Sequence, residues 1–409
     1  MDRIRIGIAG AGIGSLQVVP NLLELKDKVM LTALADTRRD NMTYYQELYG
    51  APVKMFDSVE EMCASPAIDA VWVATPNEFH AAHVIAAANN KKHVICEKPM
   101  AITLAECQSM VAAVEKNGIK YVQGHSKVYD SPVRKLGEIA RSGELGRVIH
   151  IQALNWNDWL IRALMPQEVD TAQGTGVVFR QGPHQIDTVR FIAGGKAKSV
   201  RAIAGRWEPN FPKCEGNYTA FIEFENDIPA NLMFDGYGYF DVTEFTWGIG
   251  EAGKKHRNPE SIIPRARPKG PVSAEEKYGL VRTGNPYGYG AGGGWEPTAP
   301  QQQPFYGLVM VTCEKGVMRV SPNGLYIYDQ NGRREVPCPS TPHRAAELIE
   351  LWEALNYDRP TLLDARWGMA TTEICLGILQ SSKERRDIPL QHQTRAPVFE
   401  PLVAPAAAQ

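Results

Sequence analysis

Along the first 125 residues, short apolar runs alternate with amphipathic stretches of helical spacing. Ile4–Ala9, Val29–Ala35, Val53–Phe56, Ala70–Ala74, His93–Cys96 and Lys120–Gln123 predict six strands, and the pattern between them predicts helices on both faces of a parallel sheet. Helix starts are marked by capping spacing at Ser58/Glu61 and Thr103/Glu106, and helix ends by Gly50 and Gly118. This is the pattern of a doubly wound, nucleotide-binding α/β domain. After a linking helix over Ser131–Arg141 the texture changes. Val148–Trp156, Ser199–Trp207, Ala220–Glu225 and Ala230–Tyr237 alternate apolar and polar residues, which predicts a largely antiparallel sheet with one face open. One helix over about 176–192 interrupts it, and two more, near His343–Asn356 and Ala365–Glu384, precede a Pro/Ala-rich tail. Residues 250–304, rich in Gly and Pro and including Gly292-Gly293-Gly294, read as an irregular insertion that serves as a lid or an oligomer contact. The expected division is therefore 1–125 as the nucleotide-binding domain and 126–409 as an α+β domain for substrate and assembly.

Composition narrows the function classes. The chain of 409 residues has a formal net charge of -2, which gives no electrostatic reason to expect nucleic acid or an anionic membrane as a partner. No apolar run is long enough to span a bilayer, and the N-terminus enters a strand at once, so a cytoplasmic protein is expected. Seven cysteines without CxxC pairs fit reduced thiols better than a disulfide framework or a zinc site, and no metal is expected. HExxH, Walker-type and GxSxG patterns are missing, which leaves zinc hydrolases, P-loop NTPases and α/β-hydrolases without their minimal parts.

The chemistry concentrates at strand ends. Gly10-Ala11-Gly12-Ile13-Gly14-Ser15 follows the first strand, so Gly10, Gly12 and Gly14, with Ile13, can turn tightly and admit a pyrophosphate, although Ser15 replaces the usual third small residue. Asp36 ends the second strand, where a carboxylate accepts from an adenosine ribose and repels a 2'-phosphate; this favours NAD over NADP, while Arg38 blurs the preference. Thr75, Pro76, Asn77 and His80 follow the fourth strand and should border the same crevice, with capping and surface roles equally open to Asn77 and His80. Glu97-Lys98-Pro99 closes the fifth strand. It places an amine beside the expected nicotinamide, where it can exchange a proton with an alcohol as hydride moves, and Pro99 permits a cis bond. Farther on, His184 and Asp187 share a helix face, so the carboxylate could orient the imidazole; a structural histidine stays equally open. Gly174, Gly176 and Gly182 would let backbone approach a ligand, and Arg180, one turn before His184, is either a solvated ion pair or a carboxylate clamp.

Together, Gly10–Ser15, Ala74-Thr75-Pro76-Asn77, Glu97-Lys98-Pro99-Met100 and Gly174–Asp187 resemble the glucose-fructose oxidoreductase, inositol dehydrogenase and rhizopine-catabolism family, written Gfo/Idh/MocA. The resemblance implies a Rossmann domain followed by an open-faced domain whose sheet mediates dimers or tetramers. It also implies Lys98 and His184 as the proton-handling pair, with Asp187 beside them and Glu97 on the cofactor side. Many sugar-oxidising members carry an aspartate where this chain has Arg180, and a guanidinium suits an anion better than a polyol. Asp170–Gly174, Val177–Phe179, His184–Asp187, Gly205–Trp207 and Asp235–Gly238 are similar to the phthalate dihydrodiol dehydrogenase branch. That likeness implies NAD-dependent oxidation of phthalate cis-4,5-dihydrodiol to 4,5-dihydroxyphthalate. The expected substrate contacts are Arg180, Arg162, Trp156, His125 and His184, with Arg206, Trp159 and Tyr237 as further candidates. A sugar or cyclitol dehydrogenase of the same fold and a nicotinamide-binding regulator without turnover are the alternatives.

Overall fold

In the computed structural model, which describes residues 3–16, 18–206, 209–255, 270–282, 300–339 and 344–398, two sheets organise the chain. The Ile13 side chain, Trp207, Gly292 to Gly294, His343 and the end of the Pro/Ala-rich tail lie outside the described residues. In the first sheet β1 (Ile4–Ala9), β2 (Val29–Ala35), β3 (Lys54–Phe56), β4 (Ala70–Val73), β5 (His93–Glu97) and β6 (Tyr121–Gly124) pair in parallel, in the order β3-β2-β1-β4-β5-β6. Helices cover both faces, so β4 is buried at every position and two apolar clusters form, one on each side.

Local signals act as their chemistry requires. Ser58 accepts from the Glu61 amide at 3.2 Å, Thr103 and Glu106 form a reciprocal capping box, and Gly50 and Gly118 end their helices with φ of 74° and 62°. The helix after the glycine turn is split into Ile13–Leu16 and Val19–Glu24. Pro20 has no amide for the Leu16 carbonyl, and its ring crowds that oxygen.

The second sheet contains β7 (Val148–Trp156), β8 (Ala197–Gly205), β9 (Asn217–Phe224), β10 (Pro229–Asp235), β11 (Leu308–Cys313), β12 (Gly316–Ser321), β13 (Gly324–Asp329), β14 (Gly332–Pro337) and β15 (Ile388–Pro389). Their order is β14-β13-β12-β11-β7-β10-β9-β8-β15, antiparallel except between β7 and β10. Alternation fixes its faces: in β9, Tyr218, Ala220, Ile222 and Phe224 turn inward while Thr219 and Phe221 stay exposed. The inward residues pack against the helices Ser131–Ser142, Gly182–Ala193 and Ala365–Glu384 in one cluster. The last of these helices starts where Asp364 accepts from the Trp367 amide at 2.8 Å, and it ties the two sheets together. Its Trp367 and Met369 belong to the first sheet's clusters, and its Ile374 and Ile378 to the second's.

Two expectations need correction. The helix anticipated over 176–192 is two helices, Gly176–Arg180 and Gly182–Ala193, broken at Gln181 because Pro183 cannot bond the Phe179 carbonyl. The insertion is not irregular throughout: Ala274–Arg282 is helical, started by Ser273 accepting from the Glu276 amide at 3.1 Å. All seven cysteines are free thiols, six of them buried. Among the described residues, no helix is long and apolar enough to cross a membrane, and no cluster of acidic, His and Cys side chains could hold a metal.

Candidate active site

Sheet register lines up the candidate residues along one edge. Ala9 pairs with Val73, Val73 with Cys96 and Glu97 with Gly124, so the glycine turn, the Ala74–Asn77 loop, Lys98 and His125 emerge side by side at the carboxyl ends of β1, β4, β5 and β6. Parallel sheets of this kind place their ligands at that edge. The edge is tightly braced. His80 is buried between the carbonyls of Pro99 and Thr75, its ring nitrogens 2.8 and 2.9 Å away, and burial pushes its pKa down to about 4. The Thr75 hydroxyl meets His83 at 2.9 Å, and Asn77 donates to the Gly174 carbonyl at 2.7 Å, joining the loop to the second half of the chain. His80 and Asn77 are therefore struts of the crevice rather than surface residues.

Lys98 precedes a cis peptide bond to Pro99 and donates to the Arg180 carbonyl at 2.7 Å. That carbonyl ends the helix Gly176–Arg180, and His184 lies in the first turn of the next, so amine and imidazole belong to one corner. Burial lowers the pKa of Lys98 to about 7, with Arg180, Lys127 and Arg162 adding to the effect and Glu251 opposing it. The amine is thus tuned by the protein itself, before any charge on a cofactor acts. His184 is buried, with its ring centroid 4.8 Å from that of Tyr306, whose hydroxyl donates to the Gln181 side chain at 2.6 Å.

The cations beside Lys98 are set among carboxylates. Arg180, one-third exposed, meets Glu168 at 3.2 Å, and the same carboxylate is held by Lys277 and by the Met165 amide at 2.8 Å. Burial opposes ionisation of Glu168, but Arg180 and Lys277 together hold it below the usual carboxylate range. Arg162 pairs with Asp158 at 2.8 Å. Lys127 is buried beneath the Tyr306 ring, 3.2 Å from the Glu251 carbonyl, and behind it Asp130 is pushed up to about 7 by burial. Lys127, Arg162 and Arg180 thus act on Lys98 against Glu251, with Asp158 and Glu168 paired to Arg162 and Arg180.

On the cofactor side, Gly10 has φ of 90°, and a Cβ there would stand 2.7 Å from the Ala74 carbonyl oxygen, so only glycine fits. Ser15 is accommodated at the third position because its hydroxyl turns back to donate to the Gly10 carbonyl at 2.5 Å. A side chain at Gly14 would meet nothing within 4 Å, which leaves an open ledge. Asp36 accepts from the Ala11 and Arg38 amides, each at 2.7 Å, and retains lone pairs for a ribose hydroxyl. Arg38 is engaged by Asp40 at 3.2 Å. The ledge and carboxylate fit NAD.

Several expected roles change. Asp187 was expected to orient His184, but its carboxylate lies against His125 Nδ1 and accepts from Trp367 Nε1 at 2.9 Å, because the helix turns position 187 toward Ala365–Glu384. Glu97 accepts from Trp72 Nε1 at 3.2 Å and pairs with Arg344, locking the end of β5. The Gly174 and Gly176 positions admit Ile102 and Glu215 rather than a ligand. Trp156 packs edge-on against Phe240 and Phe245, Trp159 is core, and Arg206 is exposed and absent from the cations that act on Lys98. Sequence reasoning missed Lys127, Lys277 and Tyr306. Position beyond the end of β6 could have flagged Lys127, and Ser273/Glu276, the same spacing read correctly twice elsewhere, could have flagged the helix that carries Lys277.

Comparisons with known proteins agree with this geometry. A family model for oxidoreductases with an NAD-binding Rossmann fold matches residues 4–125, and the Gfo/Idh/MocA C-terminal domain matches 133–245. The 1-carboxy-3-chloro-3,4-dihydroxycyclohexa-1,5-diene dehydrogenase of Comamonas testosteroni is 30% identical over 93% of this chain and 95% of its own. Myo-inositol 2-dehydrogenase of Thermotoga maritima is 30% identical over 49% of this chain and 58% of its own. A solved protein from Bordetella bronchiseptica RB50 superposes with a TM-score of 0.82 at 33% identity, covering 95% of this chain and all of that one. Levoglucosan dehydrogenase with NADH and levoglucosan, at 16% identity and a TM-score of 0.73 over 95% of this chain and 99% of its own, shares the fold. With residues 4–125 and 133–245 matched by the two family models and a relative 30% identical over 93% of the chain, this protein belongs to the Gfo/Idh/MocA family and is an NAD-dependent oxidoreductase.

Proposed function

We propose that this enzyme oxidises a carboxylated aromatic cis-dihydrodiol, with phthalate cis-4,5-dihydrodiol giving 4,5-dihydroxyphthalate. The observation that carries the reading is the group of cations beside Lys98, Arg162, Arg180 and Lys127, which suits an anionic ring better than a neutral sugar. The Comamonas relative, named for a carboxylated chlorinated dihydrodiol, supports it. Residues 1–125 act as the NAD-binding domain and 126–409 as the substrate and assembly domain. Bound NAD supplies the hydride acceptor. Lys98 takes the hydroxyl proton from the same carbinol as its carbon loses hydride, and His184 assists as a second acid/base. The resulting hydroxy-enone tautomerises to a catechol, and aromatisation drives oxidation. Asp187 fixes His125 in the interior, and Arg162 and Arg180 face the substrate's carboxylates.

Turnover should be seen with carboxylated dihydrodiols and be absent with inositols and aldoses; the reverse preference would overturn the reading. Replacing Arg180 with Ala should raise KM for the dicarboxylate by about 10- to 100-fold, the worth of a charge-assisted hydrogen bond, and leave an uncharged dihydrodiol nearly unaffected. An equal change for both substrates would remove the clamp. On the open face of the second sheet, exposed Ile203 and Phe221 support assembly into a homodimer or homotetramer.

A further inference from the structure

The insertion helix Ala274–Arg282 brings two adjacent residues to two different ends of the crevice. Lys277 is buried on the substrate side, where it holds Glu168. Tyr278 faces the glycine turn: its hydroxyl stands 3.9 Å from where a side chain at Gly12 would begin, and the Arg38 guanidinium lies 4.9 Å from its ring centroid. Asp36, Asn41 and Tyr45 complete its surroundings, with Tyr45 donating to the Gly12 carbonyl. Asn41 is buried, and its side chain reaches the phenol. A carboxylate at the end of β2 and a glycine turn after β1 bracket the adenosine ribose and its adjoining phosphate in this class of sheet. The phenol therefore borders the space that this part of the cofactor takes, and it offers a donor that the nucleotide-binding strands lack.

We propose that Tyr278 is a cofactor-binding residue supplied by the second half of the chain, its hydroxyl and that of the ribose-phosphate segment sharing a hydrogen bond beside Gly12. Lys277, anchored by Glu168, holds the helix in place for this contact. The assignment uses NAD binding alone and is independent of the dihydrodiol substrate.

NADH fluorescence titration tests it, with ADP-ribose as the competing ligand and no substrate present. Tyr278→Phe should weaken NADH by about three- to ten-fold, the net worth of one hydrogen bond. Tyr278→Ala should weaken it further, since Arg38 also loses its ring, and ADP-ribose should weaken in proportion because the contact lies at the adenosine end. Wild-type NADH affinity in a folded Tyr278→Ala protein would overturn the assignment, as would a loss confined to NADH with ADP-ribose unaffected. Should the alanine variant fail to fold, the phenylalanine variant decides alone, and an unchanged dissociation constant there sinks the hydrogen bond.

Discussion

Replacing Lys98 with methionine is expected to lower turnover by roughly 100- to 10,000-fold, the range for a positioned general base, while NADH binding stays essentially unchanged. The amine has a pKa near 7, so in the wild-type enzyme kcat/KM for oxidation should rise with pH and level off above about 7. Its pH dependence should vanish from whatever activity the methionine variant retains. Stability should move the other way. A lysine depressed from 10.5 to about 7 on folding binds its proton more tightly in the unfolded chain, so it opposes folding fully below pH 7 and ceases to do so as pH approaches 10.5. The methionine variant should therefore be the more stable protein in acid, with the advantage shrinking across that window. Turnover that survives the substitution, or a variant destabilised at pH 6, would show that the lysine is a structural donor to Arg180 and not a base.

What the sequence made legible follows from how local each cause is. Capping at Thr103/Glu106, left-handed ends at Gly50 and Gly118, and alternation in β9 depend on neighbours a few residues away, and each is found where spacing predicts it. The carboxyl-edge rule located Lys98 and the Thr75 loop because parallel topology alone decides which strand ends meet. Partners distant in the chain were not legible. Nothing local tells Asp187 to choose His125, sixty-odd positions away, over His184 on its own helix, or tells Glu97 to choose Arg344. The cation cluster was half visible: Arg180 and Arg162 were singled out by type and place, whereas Lys127 and Lys277 acquire meaning only through burial. Prolines at 20 and 183 were visible in the sequence and their effect is local, so the two split helices were available to stricter use of the same rule.

Asp187→Ala is expected to destabilise the protein by about 3–5 kcal/mol, the range seen when one partner of a buried ion pair is removed. Asp187 is wholly buried, and it gathers His125, Trp367 Nε1 at 2.9 Å, the Thr371 hydroxyl and Arg190 at 3.4 Å. Arg190 is equally buried; its guanidinium lies 3.7 Å from the Trp367 ring centroid and donates to the Trp367 carbonyl at 3.1 Å and the Thr371 hydroxyl at 2.6 Å. Burial lowers the pKa of Arg190 to about 10, and Asp187 is the first group that resists the fall. Truncating the carboxylate strands a cation in the seam between the two sheets and removes the acceptor of an indole N–H. Urea unfolding should register the loss, and near-normal stability would sink this account. Most of the penalty is desolvation of an unmatched charge, so Asp187→Ala combined with Arg190→Met should recover much of what the single change loses. A double variant no more stable than the single one would mean that Asp187 acts through Trp367 and His125 instead, as a hydrogen-bond hub and not as a counter-ion.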